Sequence, residues 1–430
     1  MVDKILNYQT VKSAFLKAID AGKPEKILSN KIKKLIPKNK NLKILALGKA
    51  ASSMAETIIK LQIGFEGIII TNDENFREVN GFKCFAAGHP IPDVRGLEAT
   101  RNVELMLEKL GENNHLLLLL SGGGSSLMPA PCEGITLKQK IFLNERLLES
   151  GVDINQVNAV RRLFSRLKGG RLAERAYPAG ITQIIFSDVM EDNLETIASG
   201  IAAPDPIQLN NVYKILKKTN LIQESFVSKH IEKIRNSPGI LPLKKENKIF
   251  YNVKNYIAAN NDTCVNQAIK TLEKKLSFIN SSSLKLEGEA SKMASKLAKW
   301  FIKNAQKGRC FTVIGGETTV TLNLSNSGKG GRSQELALSY ALYMKQHFNQ
   351  KREWIILSAG TDGRDGPTDA AGAMISSHHK LDINQAKKSL KNHDSYNFLL
   401  KNNMLVKTGG TNTNLGDIVI LTMEQALNSI

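Results

Sequence analysis

The chain has 430 residues, 42% of them hydrophobic and 23% charged, and a formal net charge of +19 at pH 7. That length suits two domains or one large domain with an insertion, and the composition is globular rather than disordered or collagen-like. No apolar run approaches the ~20 residues of a membrane span, and MVDKILNYQTVKSAFL lacks the apolar core of a secretory leader, so a cytoplasmic protein with no membrane role is expected.

The charge alone would suggest nucleic acid. Its lysines are spread through every region, however, as in KIKKLIPKNKNLK (31–43) and KKSLKNHD (387–394), without an aromatic-studded stripe or zinc-ligand spacing. A solvated basic surface that attracts small anions accounts for them, and no nucleic-acid partner is expected. Cys84, Cys132, Cys264 and Cys310 lie far apart with no CxxC, which fits reduced thiols. The histidines show no HExxH spacing, and His378-His379 reads as a surface pair.

In chain order, short β-rich runs at 43–47, 67–71, 116–120, 182–186 and 256–259 predict strands, followed by others at 310–314, 354–358 and 418–422. Helical stretches separate them, the pattern of α/β layering around a mostly parallel sheet. A polar, lysine-rich tract at 210–252, ending near Pro238-Gly239 and Pro242, is the expected seam between domains at 1–245 and 246–430.

Five strand ends open into bursts of glycine, hydroxyl and charged residues: ALGKAASS (46–53), LLSGGGSS (119–126), IFSDVMED (185–192), VIGGETTV (313–320) and LSAGTDGRDG (357–366). Ligands of open α/β sheets sit outside the carboxyl ends of strands, where backbone N–H groups are exposed. Such clustering points to an enzyme site.

Ser121, Gly122, Gly123, Gly124 and Ser125, with Ser126, form a stretch whose backbone can approach an anion closely. It matches neither GxGxxG nor GxxxxGK[ST]. Lys49 follows the first strand, where an ammonium can hold a phosphate or carboxylate, or simply face solvent.

NAVRRLFSRLKGGRLAERA (158–176) begins as an amphipathic helix with Val160, Leu163, Phe164 and Leu167 on one face and Arg161, Arg162, Ser165 and Arg166 on others. Lys168, Gly169 and Gly170 then mark a helix stop with room for an anion. GKGGRSQELALSYAL (328–342) puts Arg332 at the start of a buried helix, where it needs an anionic ligand or a structural partner such as Glu317. Asp188, Asp192, Asp362, Asp365 and Asp369 could bind Mg2+ with phosphate oxygens, or serve only as turn formers.

Taken in order, these motifs resemble the class II glycerate kinases, the glycerate 2-kinase family with a C-terminal MOFRL domain. The resemblance runs from about residue 40 to 422 and rests on LGKAASSMA, AGHPIPD (87–93), LSGGGSS, VNAVRRLFSRLKGGRLA, FSDVMEDNLETIASG, IGGETTV…GKGGRSQELAL, SAGTDGRDGPTDAAGA and TGGTNTNLGD (408–417). It implies a larger N-terminal Rossmann-like α/β/α domain and a smaller C-terminal α/β domain with the MOFRL region at about 309–423.

It also implies transfer of the ATP γ-phosphoryl group to the 2-hydroxyl of D-glycerate in an interdomain cleft, with Mg2+. Carried onto this chain, Lys49, Arg332 and Asp188 are expected to be catalytic, and residues 121–125 and 168–170 to contact phosphate. Glu317, Thr361 and Asp362 are expected to contact substrate or nucleotide, and Asp192 and Asp365 to hold the metal. Departures from the pattern fall at Leu163, Glu191, Ile201, Ser333, Gly410, Asn412 and Gly416. A nicotinamide-dependent hydroxypyruvate reductase, with Asp73 as ribose-binding acid, is the alternative, as is a kinase with another hydroxy-acid acceptor. The turn Leu47-Gly48-Lys49-Ala50-Ala51 lacks the reductase's glycines. A homodimer is one assembly left open.

Overall fold

The computed structural model describes residues 8–189, 191–237, 239, 241–305, 308–322, 328–348 and 352–425. The chain divides into two compact units, Leu28–Ala258 and Met1–Ile27 with Ala259–Ile430.

The first unit is built on β1 (Asn41–Leu47), β2 (Gly67–Thr71), β3 (Phe82–Ala86), β4 (Asn114–Leu120), β5 (Gly180–Phe186) and β6 (Val253–Ala259), in the order β3-β2-β1-β4-β5-β6. The pairings from β3 through β5 are parallel. Parallel strands are covered on both faces, so they read as unbroken apolar runs, and all five consecutive leucines of β4 are buried. One face packs on helices Val94–Leu107 and Arg171–Ala176 through Ala99, Val103, Leu107, Leu172 and Ala176.

Helices Leu137–Glu149, Ile154–Leu163, Leu209–Lys218 and Ser225–Asn236 enclose a core of their own with Leu147, Val160, Leu216 and Ile231. The polar tract at 210–252, expected to be a seam, therefore holds two amphipathic helices. Their lysines face outward while Val212, Leu216, Val227 and Ile231 recur at helical spacing inward.

The second unit contains β7 (Ser277–Phe278), β8 (Cys310–Gly316), β9 (Arg352–Gly360), β10 (Gly372–Ser376), β11 (Leu405–Val406) and β12 (Asp417–Gln425), ordered β11-β10-β9-β12-β8-β7. This sheet is mixed: β7 runs parallel to β8, and β12 lies antiparallel between β8 and β9. Helices Ala290–Asn304 and Arg332–His347 pack against it in one apolar core. Helix Tyr8–Ala21 belongs here: it packs on helix Asn261–Leu272, and the Tyr8 hydroxyl donates to Met374 O at 2.9 Å. The start of the chain thus joins the second unit, whereas sequence alone assigned it to the N-terminal domain.

Among the described residues no helix is long and apolar enough to cross a membrane. The four cysteines are free thiols.

Candidate active site

The strand order of the first unit reverses between β1 and β4, the switch point outside which ligands of open α/β sheets bind. Lys49 leaves β1 there, residues 121–125 leave β4, and Asp188 leaves the neighbouring β5.

The two exits are locked together. Ser121 Oγ accepts the Ala50 amide hydrogen at 2.9 Å, and the Lys49 amide donates to Gly122 O at 2.9 Å. Gly48 has φ 125° and leaves no space for a side chain, since a Cβ there would lie 2.3 Å from Ser121 Oγ. Gly123 has φ 89°, and a Cβ there would meet His89 Cδ2 at 3.0 Å and Lys49 Cγ at 3.5 Å. The lysine and the imidazole therefore flank this glycine. His89 was not singled out from the sequence, although AGHPIPD contains it.

Among the described residues, the amides of Gly122, Gly123, Gly124 and Ser125 donate to no backbone carbonyl outside regular structure. Successive amides without a backbone acceptor, beside a half-buried lysine, are groups able to donate to an anion.

Lys168, which opens the KGG segment, braces this loop. Lys168 is 2% exposed and its ammonium donates to Ser125 O at 2.8 Å. Burial holds its pKa well below the ordinary lysine value, with Lys140 and Arg161 adding repulsion. The Gly169 and Gly170 amides donate to Ser199 O and Gly200 O at 3.3 and 2.8 Å, and Ser125 and Ser199 share a hydroxyl hydrogen bond of 2.7 Å. Ala198, Ser199 and Gly200 all have positive φ, a strained stretch held by these contacts.

The arginines upstream are not a solvated face. Arg162 Nε donates to Asp205 Oδ2 at 2.9 Å, with the two side chains 6% and 0% exposed, and Arg166 forms a fork on Glu104. Ser165 is fully buried. Sequence spacing misplaced them because their partners come from distant segments.

Asp188 and Asp192 lie in the loop after β5, both half-buried, Asp192 at φ 50°. Among the described residues no three His, Cys, Asp or Glu side chains gather into a metal site. Mg2+ carried by nucleotide phosphates needs only one or two carboxylates, and this loop fits that requirement.

In the second unit, β12 begins where its antiparallel neighbours end, pairing Asp417 with Gly316 of β8 and Gly360 of β9. Glu317 and Thr361 therefore emerge beside Asp417. Arg332 opens helix Arg332–His347 among them. Its Nε donates to Asp417 Oδ2 at 2.6 Å, Nη2 to Asp417 Oδ1 at 3.0 Å, and Nη1 lies 2.5 Å from Glu317 Oε1. Burial opposes the charge, but Asp417 and Glu317 outweigh it and raise the arginine pKa.

Asp365 caps this helix, its two carboxylate oxygens accepting the Ser333 and Gln334 amides at 3.1 and 2.8 Å. Burial, with Asp417 nearby, pushes its pKa up to about 7. Thr361 is fully buried and bonded to the loop before β12, donating from Oγ1 to Gly416 O at 2.7 Å. Asp362 Oδ1 accepts the Arg364 amide at 3.0 Å. Asn261 and Asp417 were missed by sequence reasoning. Asn261 ties the same loop, donating to Leu415 O at 2.7 Å and Asp417 O at 3.0 Å.

A doubly wound sheet with a lysine and bared amides at its switch point defines an α/β enzyme that handles anionic, phosphate-bearing ligands. Comparison with known proteins narrows the class. Residues 10–233 match the model described as a domain of unknown function (DUF4147), and residues 310–417 match the MOFRL family. A D-glycerate 2-kinase of Thermotoga maritima is 35% identical over 94% of this chain and 95% of its own. A glycerate 2-kinase of Pyrococcus horikoshii is 36% identical, over 94% of each chain. The crystal structure of a glycerate kinase from Thermotoga maritima superposes with a TM-score of 0.80, at 33% identity and covering 96% of this chain and 98% of that one. The chain belongs to the DUF4147/MOFRL glycerate 2-kinase family.

Proposed function

We propose that the protein transfers the γ-phosphoryl group of ATP to the 2-hydroxyl of D-glycerate, giving 2-phospho-D-glycerate and ADP. The observation that carries this reading is the run of amides from Gly122 to Ser125, without backbone acceptors, beside Lys49 at the switch point. Phosphoryl transfer asks a protein chiefly to position the reactants and neutralise developing charge. The amides and Lys49 hold phosphate oxygens, with Lys168 and the KGG turn fixing the loop that presents them.

Asp188 accepts the proton of the attacking hydroxyl. Asp192 helps to hold Mg2+, which when bound neutralises phosphate charge. Arg332, fixed in orientation by Asp417 and Glu317, offers its remaining edge to the acid's carboxylate or to the transferring phosphoryl. Thr361, bonded to Gly416 O, holds the loop that leads into Asp417.

The test is ADP release from ATP, Mg2+ and D-glycerate, with the product position read by phosphorus NMR. Lys49→Ala and Arg332→Ala are each expected to lower turnover by at least about 10²-fold with the fold intact. Near-normal turnover in either variant removes that residue from the site, and a 3-phosphate product overturns the regiochemistry. NADH-dependent reduction of hydroxypyruvate without kinase activity would establish the reductase instead.

A further inference from the structure

The glycine loop before Arg332 has a partner that the family motifs do not include. Gly328 donates its amide to Asn392 O at 2.8 Å, Lys329 donates to Asp394 Oδ1 at 3.0 Å, and Lys329 O accepts from the Tyr396 amide at 2.9 Å. These three bonds join the loop to one turn, residues 392–396, at the end of the lysine-rich KKSLKNHD stretch.

Packing between the two is tight enough to explain why the loop is glycine. A Cβ on Gly328 would lie 2.4 Å from Asp394 Cβ, and one on Gly330 would lie 2.4 Å from Ser395 Oγ. Gly331 is pressed on its other side against Asp365, where a Cβ would come within 2.3 Å of the carboxylate carbon. The glycines here admit neighbours rather than confer mobility.

The same turn grips the helix beyond Arg332. His393, at φ 51°, places Nδ1 2.9 Å from Oε1 of Glu335, a buried residue one turn into the helix. Asp394 Oδ1 is itself held by Asn397 Nδ2 at 2.8 Å. Arg332 therefore sits between two segments, the loop on one side and Glu335 on the other, both anchored to residues 392–396.

We propose that Asp394 is a positioning residue for the phosphoryl-transfer reaction. By fixing the Lys329 amide it sets the backbone from which Arg332 projects, without touching substrate. This inference rests on the reading that Arg332 meets the reacting anion. A displacement of about 1 Å at such a group costs on the order of 10²-fold in rate.

The experiment compares Asp394→Ala and Asp394→Asn in the full-length protein. Asparagine retains an Oδ1 acceptor, so Asp394→Asn is expected to keep most of the turnover. Asp394→Ala is expected to lose roughly 10- to 10²-fold in kcat with little change in the KM for ATP. Hydrogen exchange at the Lys329 amide should accelerate in Asp394→Ala and not in Asp394→Asn. In an Arg332→Lys background Asp394→Ala should have little further effect.

Unchanged kcat in Asp394→Ala, equal loss in the alanine and asparagine variants, or an undiminished loss in the Arg332→Lys background would each overturn the proposal. Failure of the underlying reading shows separately, as normal turnover in Arg332→Ala.

Discussion

Ser121 Oγ accepts the Ala50 amide hydrogen at 2.9 Å, tying the exit of β4 to the first residues beyond β1. Two loops that come from distant parts of the chain are thereby made one surface. Ser121→Ala leaves that amide buried without its acceptor, at a cost of about 1–3 kcal/mol. Gly48→Ala is expected to be worse. It combines an unfavourable φ of 125° with a Cβ 2.4 Å from Ser121 O, and should cost about 2–5 kcal/mol. Denaturant midpoints of the two variants check both the values and their order.

Lys168 gives a prediction about ligand binding. Its buried ammonium holds Ser125 O at 2.8 Å, and a methionine of similar length fills the same space but cannot donate to that carbonyl. Lys168→Met should therefore still fold, at a cost of about 1–3 kcal/mol, and loosen the loop presented to phosphate. Loss of one charge-assisted hydrogen bond, about 1.5–3 kcal/mol, corresponds to roughly a 10- to 100-fold weaker hold on ATP. Titration of ATP against the variant reads this directly, and an unchanged affinity would show that the lysine does not shape the loop.

The parts that sequence made legible are those where chemistry is local. β4 is apolar on both faces because the parallel sheet is covered twice, so LLLLL could be nothing but a buried element. Lys49 and SGGGSS stood out as polar bursts at strand exits. By contrast β3 (FKCFA) is an edge strand only partly buried, and its weak apolar signal went unread. Asp417 escaped notice because its partner Arg332 is 85 residues away, and a single aspartate at a strand start carries no local pattern. Asp394 was hidden for the same reason, a single acid in the turn that follows a lysine-rich helix. Arg162 shows the converse: helical spacing put it off the apolar face, yet it is buried against Asp205.

His115 provides a pH test that is independent of catalysis. It begins the buried part of β4, is 6% exposed, and its Nε2 lies 2.9 Å from Thr182 Oγ1. Burial, with Lys254 and Lys40 adding, pushes its pKa down from 6.5 to about 4. Between those values the unfolded chain binds a proton that the folded chain does not. The contribution is thus complete above pH 6.5 and is lost as pH falls toward 4, amounting to about 3 kcal/mol. His115→Gln should flatten that part of the stability profile, as measured by the difference between wild-type and variant denaturation curves. A variant with the wild-type slope would place the titration elsewhere.

The fork between Arg332 and Asp417 sets a final expectation. Asp417 is almost wholly buried, 4% exposed at the side chain, whereas Arg332 is 34% exposed. Removing one partner of a fully buried pair costs about 3–5 kcal/mol, and partial solvation of the guanidinium brings the expected loss for Asp417→Ala to about 2 kcal/mol. The consequence for turnover should exceed that for stability, because the arginine is aimed by both oxygens of the carboxylate. Asp417→Asn keeps one acceptor and the side-chain volume but gives up charge and the second bond. It should fold nearly as well as wild type and still turn over substrate well below the wild-type rate. Thermal midpoints set beside kcat for both variants decide the matter: parallel losses in the two quantities would make Asp417 a purely structural anchor, while a kcat deficit in Asp417→Asn with an unchanged midpoint identifies orientation of Arg332 as what the pair contributes.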